Sequence, residues 1–185
     1  MDYDYIVLYD SSTGNTKKLA TEIFASLPGR DKDLLPIDQY RSDHTADIYF
    51  IGFRTNRGSC SVEMMDFLST LHEKKIALFG TCGMGDSPIY YNDIVRRVSV
   101  WLPDDNEFLG SFMCLGKMPI KIRKYYEDSY ADAENKGQVA RLLHYYDEAM
   151  IHPNHTDFEN AADFARGIIE KRKTLLSERE AAWNL

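Results

Sequence analysis

The 185-residue sequence predicts an α/β sandwich: a five-stranded parallel sheet of order 2-1-3-4-5, helices on both faces, and an extra helical segment at the C-terminus. Three observations predict it. Short apolar runs recur through residue 115, and they are continuous rather than alternating, as strands buried on both faces require. Between them lie stretches with apolar residues at helical spacing, the alternation that builds parallel crossovers. The first run also breaks into a hydroxyl-rich loop that opens a helix, the place where an open α/β sheet receives its ligand.

Residues 3–9 form the first strand, and residues 16–27 carry Leu19, Ile23, Phe24 and Leu27 on one helical face before Pro28-Gly29 ends it. Residues 33–37 make a short second strand. Pro36 cannot donate to a ladder, so this strand belongs at a sheet edge, where the order 2-1-3-4-5 puts it. Residues 46–52 are a buried third strand, followed by a loop over 53–61 and a helix with Met64, Phe67, Leu68 and Leu71 inward. Residues 75–80 form the fourth strand, with a loop over 81–87. Pro88 stands where a helix begins, and Ile94, Val95, Val98, Trp101 and Leu102 make its apolar face. Residues 108–115 supply the fifth strand. A single domain over 1–176 follows, with 117–176 as a helical extension packed on it. In that extension Val139, Leu142, Leu143, Tyr146 and Met150 share one face, and Phe158, Ala161, Ala162, Ala165 and Ile169 another. Thr156-Asp157-Phe158-Glu159 reads as a capping box for the last helix, and residues 177–185 are expected to fray.

Composition narrows the function. The net charge of −7 and pI near 5.2 argue against a general nucleic-acid binder and favour a basic partner surface. The first apolar run is short, carries Asp2 and Asp4 and lacks a basic leader, so no secretory signal is expected, and no run reaches the length of a membrane span. Cys60, Cys82 and Cys114 form no CxxC pair, which points to a reduced, cytoplasmic setting and to non-catalytic thiols. His152 and His155 flank Pro153-Asn154 without a nearby cysteine or third histidine, so no metal site is expected. The basic run Lys117, Lys121, Arg123, Lys124 reads either as a docking patch or as a solvated helix face.

The run Ser11-Ser12-Thr13-Gly14-Asn15-Thr16 gathers hydroxyls and backbone N–H groups at a helix N-terminus, a volume suited to a phosphate. It is not a Walker A loop, since Gly14 is its only glycine and Lys17 lies past it. Hydroxyls without an inward lysine suit a terminal phosphomonoester. The switch-point topology brings the loops after strands three and four to the same edge. These are Phe53-Arg54-Thr55-Asn56-Arg57-Gly58-Ser59-Cys60 and Thr81-Cys82-Gly83-Met84-Gly85-Asp86-Ser87, whose glycines and small polar residues let backbone groups approach a flat heterocycle.

The first run resembles the FMN-phosphate loop of the flavodoxin family, Ser/Thr-x-Thr-Gly-x-Thr, at every defined position. More narrowly, Gly52-Phe53, Phe79-Gly80-Thr81, Gly116-Lys117-Met118 and His152-Pro153 resemble a small branch of flavodoxin-like proteins from anaerobic bacteria, some of which are linked to bilirubin reductases. The resemblance implies a flavodoxin-like fold with FMN as cofactor. Ser11, Ser12, Thr13, Gly14, Asn15 and Thr16 would hold the phosphate, Thr55, Asn56, Arg57 and Gly58 would face flavin N5, and Thr81, Cys82, Gly83 and Met84 would bind the pyrimidine and ribityl side. Tyr90 is the candidate for stacking on the ring, with packing on the helix surface as its other reading. Many flavodoxins stack two aromatics on the flavin, whereas the first loop here offers only Phe53, so Met84 or Cys60 is a further candidate. The resemblance also implies that the Arg57–Gly58 peptide can turn its carbonyl toward N5, with Arg54 and Arg57 favouring the reduced, anionic flavin.

Three functional classes follow. The first is an FMN-binding electron carrier, monomeric or weakly dimeric, whose partners are a reductase or an acceptor enzyme rather than nucleic acid or membrane. The second is an FMN-dependent NAD(P)H reductase of a small substrate. The third is a signalling receiver on the same fold, which Asp10 and Lys117 fit loosely; strand three ends in Ile51-Gly52, so the phosphoacceptor is missing.

Overall fold

The computed structural model describes residues 2–85, 87–132, 134 and 136–183. Its strands β1 (Asp2–Tyr9), β2 (Lys32–Pro36), β3 (Thr45–Arg54), β4 (Lys75–Cys82) and β5 (Glu107–Leu115) form one sheet in the order β2-β1-β3-β4-β5. Every pairing is parallel, and Pro36 closes the edge strand opposite Tyr9. The helices are α1 (Asn15–Ser26), α2 (Val62–Ser69), α3 (Pro88–Ser99), α4 (Ile120–Asp132), α5 (Lys136–Ala149) and α6 (His155–Trp183).

The period-two alternation of side chains divides the core into two layers. Ile6, Leu8, Tyr49, Ile51, Phe53, Ile76 and Leu78 face α2 and α3, where Met64, Leu68, Ile94, Val95 and Val98 meet them. Val7, Ile48, Phe50, Ala77 and Phe79 face Leu19, Ala20 and Ile23 of α1 and Ala161, Ala165 and Ile169 of α6. Each large side chain buried here contributes about 1.5–3 kcal/mol. Gly52 lets α1 settle onto the sheet: a Cβ there would lie 2.3 Å from the Phe79 ring and 3.0 Å from Thr16 Cγ2.

The additional helices α4 and α5 pack on one another. Arg123 pairs with Glu127 and Asp147, and the Tyr146 hydroxyl donates to the Met118 carbonyl at 3.4 Å. Among the described residues no helix is long and apolar enough to cross a membrane.

Several elements differ from expectation. β3 and β4 each run two residues further, to Arg54 and Cys82, because Phe53 is fully buried and Arg54 still pairs with Thr81. α3 stops at Ser99; Trp101 and Leu102 lie in tight turns on Val98 and Ser99, so the helical face does not reach Trp101, which is 42% exposed. The capping box of α6 sits two residues earlier than expected. Asn154 Oδ1 accepts from the Thr156 and Asp157 amides while Asp157 Oδ2 accepts from the Asn154 amide at 2.7 Å, so Asn154 is the cap. α6 is helical as far as Trp183, as Ser-Glu-Arg-Glu-Ala-Ala offers no glycine or proline to stop it. Residues 184 and 185 lie outside the described residues.

Candidate cofactor-binding cleft

The C-terminal ends of β1, β3, β4 and β5 open onto one cleft of about 360 Å³. Ser12, Thr13 and Asn15 line it from the first loop, Arg54, Thr55 and Asn56 from the end of β3, and Thr81, Cys82 and Gly83 from the end of β4. The segment after β5 closes the remaining side with Gly116, Lys117, Met118, Pro119, Lys121 and Ile122.

The first wall is a helix end left open. Ser61 caps α2 by accepting from the Met64 amide, and Ser87 caps α3 by accepting from the Tyr90 amide. The cap of α1 is Gly14, at φ 85°, with no side-chain hydrogen bond. Its first-turn N–H groups therefore lack the side-chain acceptor that the other two helices have. Asn15 Nδ2 donates to Thr13 Oγ1 at 3.0 Å and to the Lys117 carbonyl at 2.9 Å, tying the loop to the segment after β5. The Thr16 hydroxyl lies 3.0 Å from Thr81 Oγ1, a hydrogen bond that anchors the loop on β4.

The second wall is a tight hairpin. The Asn56 amide donates to the Ser59 carbonyl at 2.7 Å and the Ser59 amide returns a bond to Asn56 at 3.0 Å. Arg57 at φ 51° and Gly58 at φ 80° fill the turn, the signature of type I′. Beneath it, Ser61 Oγ donates to Asp10 Oδ2 at 2.6 Å, and Arg54 Nε lies 3.2 Å from the same oxygen in an ion pair short of hydrogen-bond geometry. Asp10 is thereby occupied as a structural anion, which removes the acidic pocket that a receiver domain needs.

Ser12, Thr13, Asn15, Thr55, Asn56, Thr81, Cys82 and Gly83 line the same cleft. Ser11, Gly14, Thr16, Arg57 and Gly58 are not among the lining residues; the first three belong to the loop that borders the cleft, and Arg57 and Gly58 fill the hairpin turn. Met84 and Tyr90 are not among the lining residues. Met84 takes the Tyr126 hydroxyl on its sulfur at 3.4 Å, and Tyr90 packs on Gly85, where a Cβ would lie 2.5 Å from its ring. Phe53 and Cys60 are buried in the core and cannot stack on a ligand. Asp86 lies outside the described residues.

The residues missed from sequence come from one stretch. Gly116-Lys117-Met118 stood out as a word, and Lys117 as part of a basic run, but neither placed the stretch at the cofactor cleft; that depends on a crossing over the sheet end that spacing does not reveal. Met118 packs against Gly83, where a Cβ would sit 2.4 Å from its Cγ and Sδ, so the thioether at the cleft is Met118. Of the basic run, Lys117 and Lys121 line the cleft, while Arg123 is held by its carboxylates. Burial pushes the Cys82 thiol up to about 12 and raises Cys60 and Cys114 as well, so all three stay neutral near pH 7. Among the described residues no cluster of His, Cys, Asp and Glu could hold a metal.

The lining fits FMN on two observations. Ser11 Oγ and Thr55 Oγ1 are buried without a hydrogen-bond partner, a costly state that ligand oxygens or nitrogens would relieve. The open N-terminus of α1 lies beside Ser11, as a phosphate requires.

Known proteins agree with this geometry. The chain is 32% identical over 170 residues to the flavodoxin-like domain-containing protein BilS of Clostridioides difficile (strain CD3), covering 90% of this chain and 96% of the relative. It is 28% identical over 169 residues to the protein of the same name from Clostridium symbiosum (strain WAL-14163), covering 83% and 89%. Its fold is shared with a flavodoxin from the domain Archaea, at a TM-score of 0.56 and 18% identity over 94% of this chain and 99% of that one. The flavodoxin domain family model matches residues 6–166. That match runs from the core of β1 into α6, across every loop that borders the cleft, and the chain therefore belongs to the flavodoxin domain family.

Proposed function

We propose that the protein binds one FMN noncovalently in this cleft and works in the cytoplasm, as a monomer or weak dimer, carrying electrons between a reductase and an acceptor enzyme. The observation that carries this reading is the uncapped N-terminus of α1 beside the unpartnered hydroxyls of Ser11 and Thr55. FMN, when bound, supplies the uptake and release of electrons. The chain supplies position: the α1 amides and Ser11 take the phosphate, Thr55 and the backbone at Gly83 take the heterocycle, and Asn15 locks the loop against the segment after β5. The cleft of about 360 Å³ falls within the range of small-molecule pockets, about 300–1,000 Å³. The resemblance to the branch from anaerobes supports a bilirubin reductase as one acceptor to try.

Titrating the purified chain with FMN and riboflavin, followed by flavin absorbance and fluorescence, tests the first half. Saturable one-to-one binding that favours FMN is expected, and absence of FMN binding overturns it. Mixing the FMN-loaded protein with NADPH or NADH tests the second half. Slow reduction unless a separate reductase is added supports the carrier, whereas rapid direct oxidation of either nucleotide moves the protein to the reductase class.

A further inference from the structure

We propose that Lys117 and Lys121 neutralise the phosphate of the bound flavin, so that charge as well as the hydroxyl loop selects FMN over its unphosphorylated form. The inference rests on the FMN reading above and assigns two residues of the same cleft that the phosphate loop does not contain.

Both lysines line the cleft together with Ser12, Thr13 and Asn15 of the first loop. The backbone at Lys117 is firmly held. The Gly116 amide donates to the Cys82 carbonyl at 2.8 Å and the Lys117 amide to the His152 carbonyl at 3.0 Å. The Lys117 carbonyl accepts from Asn15 Nδ2, at the first residue of α1, whose N-terminus is left uncapped. Gly116 permits that approach: a Cβ there would fall 2.9 Å from Asn15 Nδ2 and 3.1 Å from Asn15 Cβ. The segment after β5 is thus pressed against the uncapped end of α1, with Asn15 Nδ2 bridging it to Thr13.

The charge state of the cleft completes the argument. Arg54 is matched by Asp10, and Arg123 by Glu127 and Asp147. Among the described residues neither Lys117 nor Lys121 has a carboxylate within ion-pair distance. A phosphomonoester carries about two negative charges at neutral pH, and two unmatched ammonium groups at the cleft answer both. Lysine suits this role because its charge sits on a flexible stem and needs no fixed fork.

The test is the affinity of the apoprotein for FMN and for riboflavin, at low and high salt, in the wild type, Lys117→Gln, Lys121→Gln, the double variant and the double Lys→Arg variant. Both lysines are exposed at the surface, so the substitutions leave the fold intact, which far-ultraviolet circular dichroism and the thermal midpoint verify. Each Gln variant is expected to raise the Kd for FMN about tenfold and the double variant about a hundredfold, with the riboflavin Kd changed less than about threefold. The salt dependence of FMN binding should flatten in the double Gln variant and return in the Arg variant. Equal loss for both flavins, or unchanged FMN affinity in the double Gln variant of a protein that binds FMN, overturns the role given to the lysines while leaving the cofactor assignment standing. A wild type that binds neither flavin overturns both.

Discussion

Ser11 and Thr55 are the residues where fold and function pull in opposite directions. Each buries a hydroxyl with no partner, which costs the apoprotein free energy and gains it back only when a ligand supplies the missing bond. Ser11→Ala is therefore expected to leave the urea midpoint of the apoprotein unchanged or slightly raised, while FMN affinity falls by about 1.5–3 kcal/mol, roughly 10- to 100-fold. A parallel loss of apoprotein stability would show that Ser11 has a structural partner instead. At the hairpin tip, Gly58→Ala places a side chain at φ 80° and 2.8 Å from Arg97 Nη1, so the turn should rearrange at a cost of about 1–2 kcal/mol. If this turn faces the flavin, Gly58→Ala shifts its reduction potential and Arg57→Ala lowers it; a redox titration that finds both variants at the wild-type value removes the turn from the site. Sequence made the hydroxyl loop and the residues at strand ends legible, since strands and loops follow from local pattern. It could not show that Thr16 spends its hydroxyl on Thr81, that Tyr90 folds onto Gly85, or that Lys117 crosses to Asn15, because each depends on a partner far along the chain.

At the scale of elements, helix caps explain both the strength of the scaffold and the openness of the site. α2 and α3 carry serine caps, α6 carries the reciprocal pair Asn154 and Asp157, and α1 carries Gly14 without a side-chain cap. Asp157→Ala removes the acceptor for the Asn154 amide and for His152 Nδ1, and should lower stability by about 1–2 kcal/mol, read as a lower urea midpoint. Because the His152 carbonyl holds the Lys117 amide, the same variant should also loosen the segment after β5, seen as faster amide exchange at Lys117. An unchanged midpoint would mean that α6 is held by its packing on α1 and the sheet, without help from its cap. Continuous apolar runs and a proline in the weakest strand made the sheet order readable from sequence. Boundaries were harder: the fully buried Phe53 extends β3 beyond the glycine that looked like its end, and the α6 cap shifted because Asn154 competes with Thr156 for the same role. The apolar face of α5 was visible in the sequence, and α4 only as part of a mostly helical segment, yet their placement follows from Tyr126 on Met84 and Tyr146 on Met118, partners that no periodicity identifies.

For the molecule as a whole, two electrostatic consequences are measurable. Burial lifts Cys82 from about 9 to about 12, and a group that ionises more readily unfolded than folded contributes stability that is complete below pH 9 and is lost as pH climbs toward 12. The urea midpoint should therefore hold between pH 6 and 8 and decline from about pH 9 upward, less steeply in Cys82→Ala; Cys60 and Cys114, raised by the same cause, add to the decline. The second consequence concerns which redox partners approach. The chain carries a formal charge of −7, and a bound phosphate adds about two more negative charges. If Lys117 and Lys121 are spent on that phosphate, the basic residues of the cleft present no net positive face, and long-range attraction follows the acidic whole. Oxidation of the reduced FMN-loaded protein by cationic hexaammineruthenium(III) should then slow as salt rises from low to physiological ionic strength, where the screening length contracts to about 8 Å, while oxidation by anionic ferricyanide should quicken. The reverse pattern, ferricyanide slowed by salt, would mean that the lysines remain free at the mouth of the cleft and that the partner surface is acidic. The double Lys→Gln variant separates the cases. At saturating FMN it should steepen both salt slopes in the same sense where the lysines are matched by phosphate, because the phosphate is then left unneutralised, and change the sign of the ferricyanide slope where they are not.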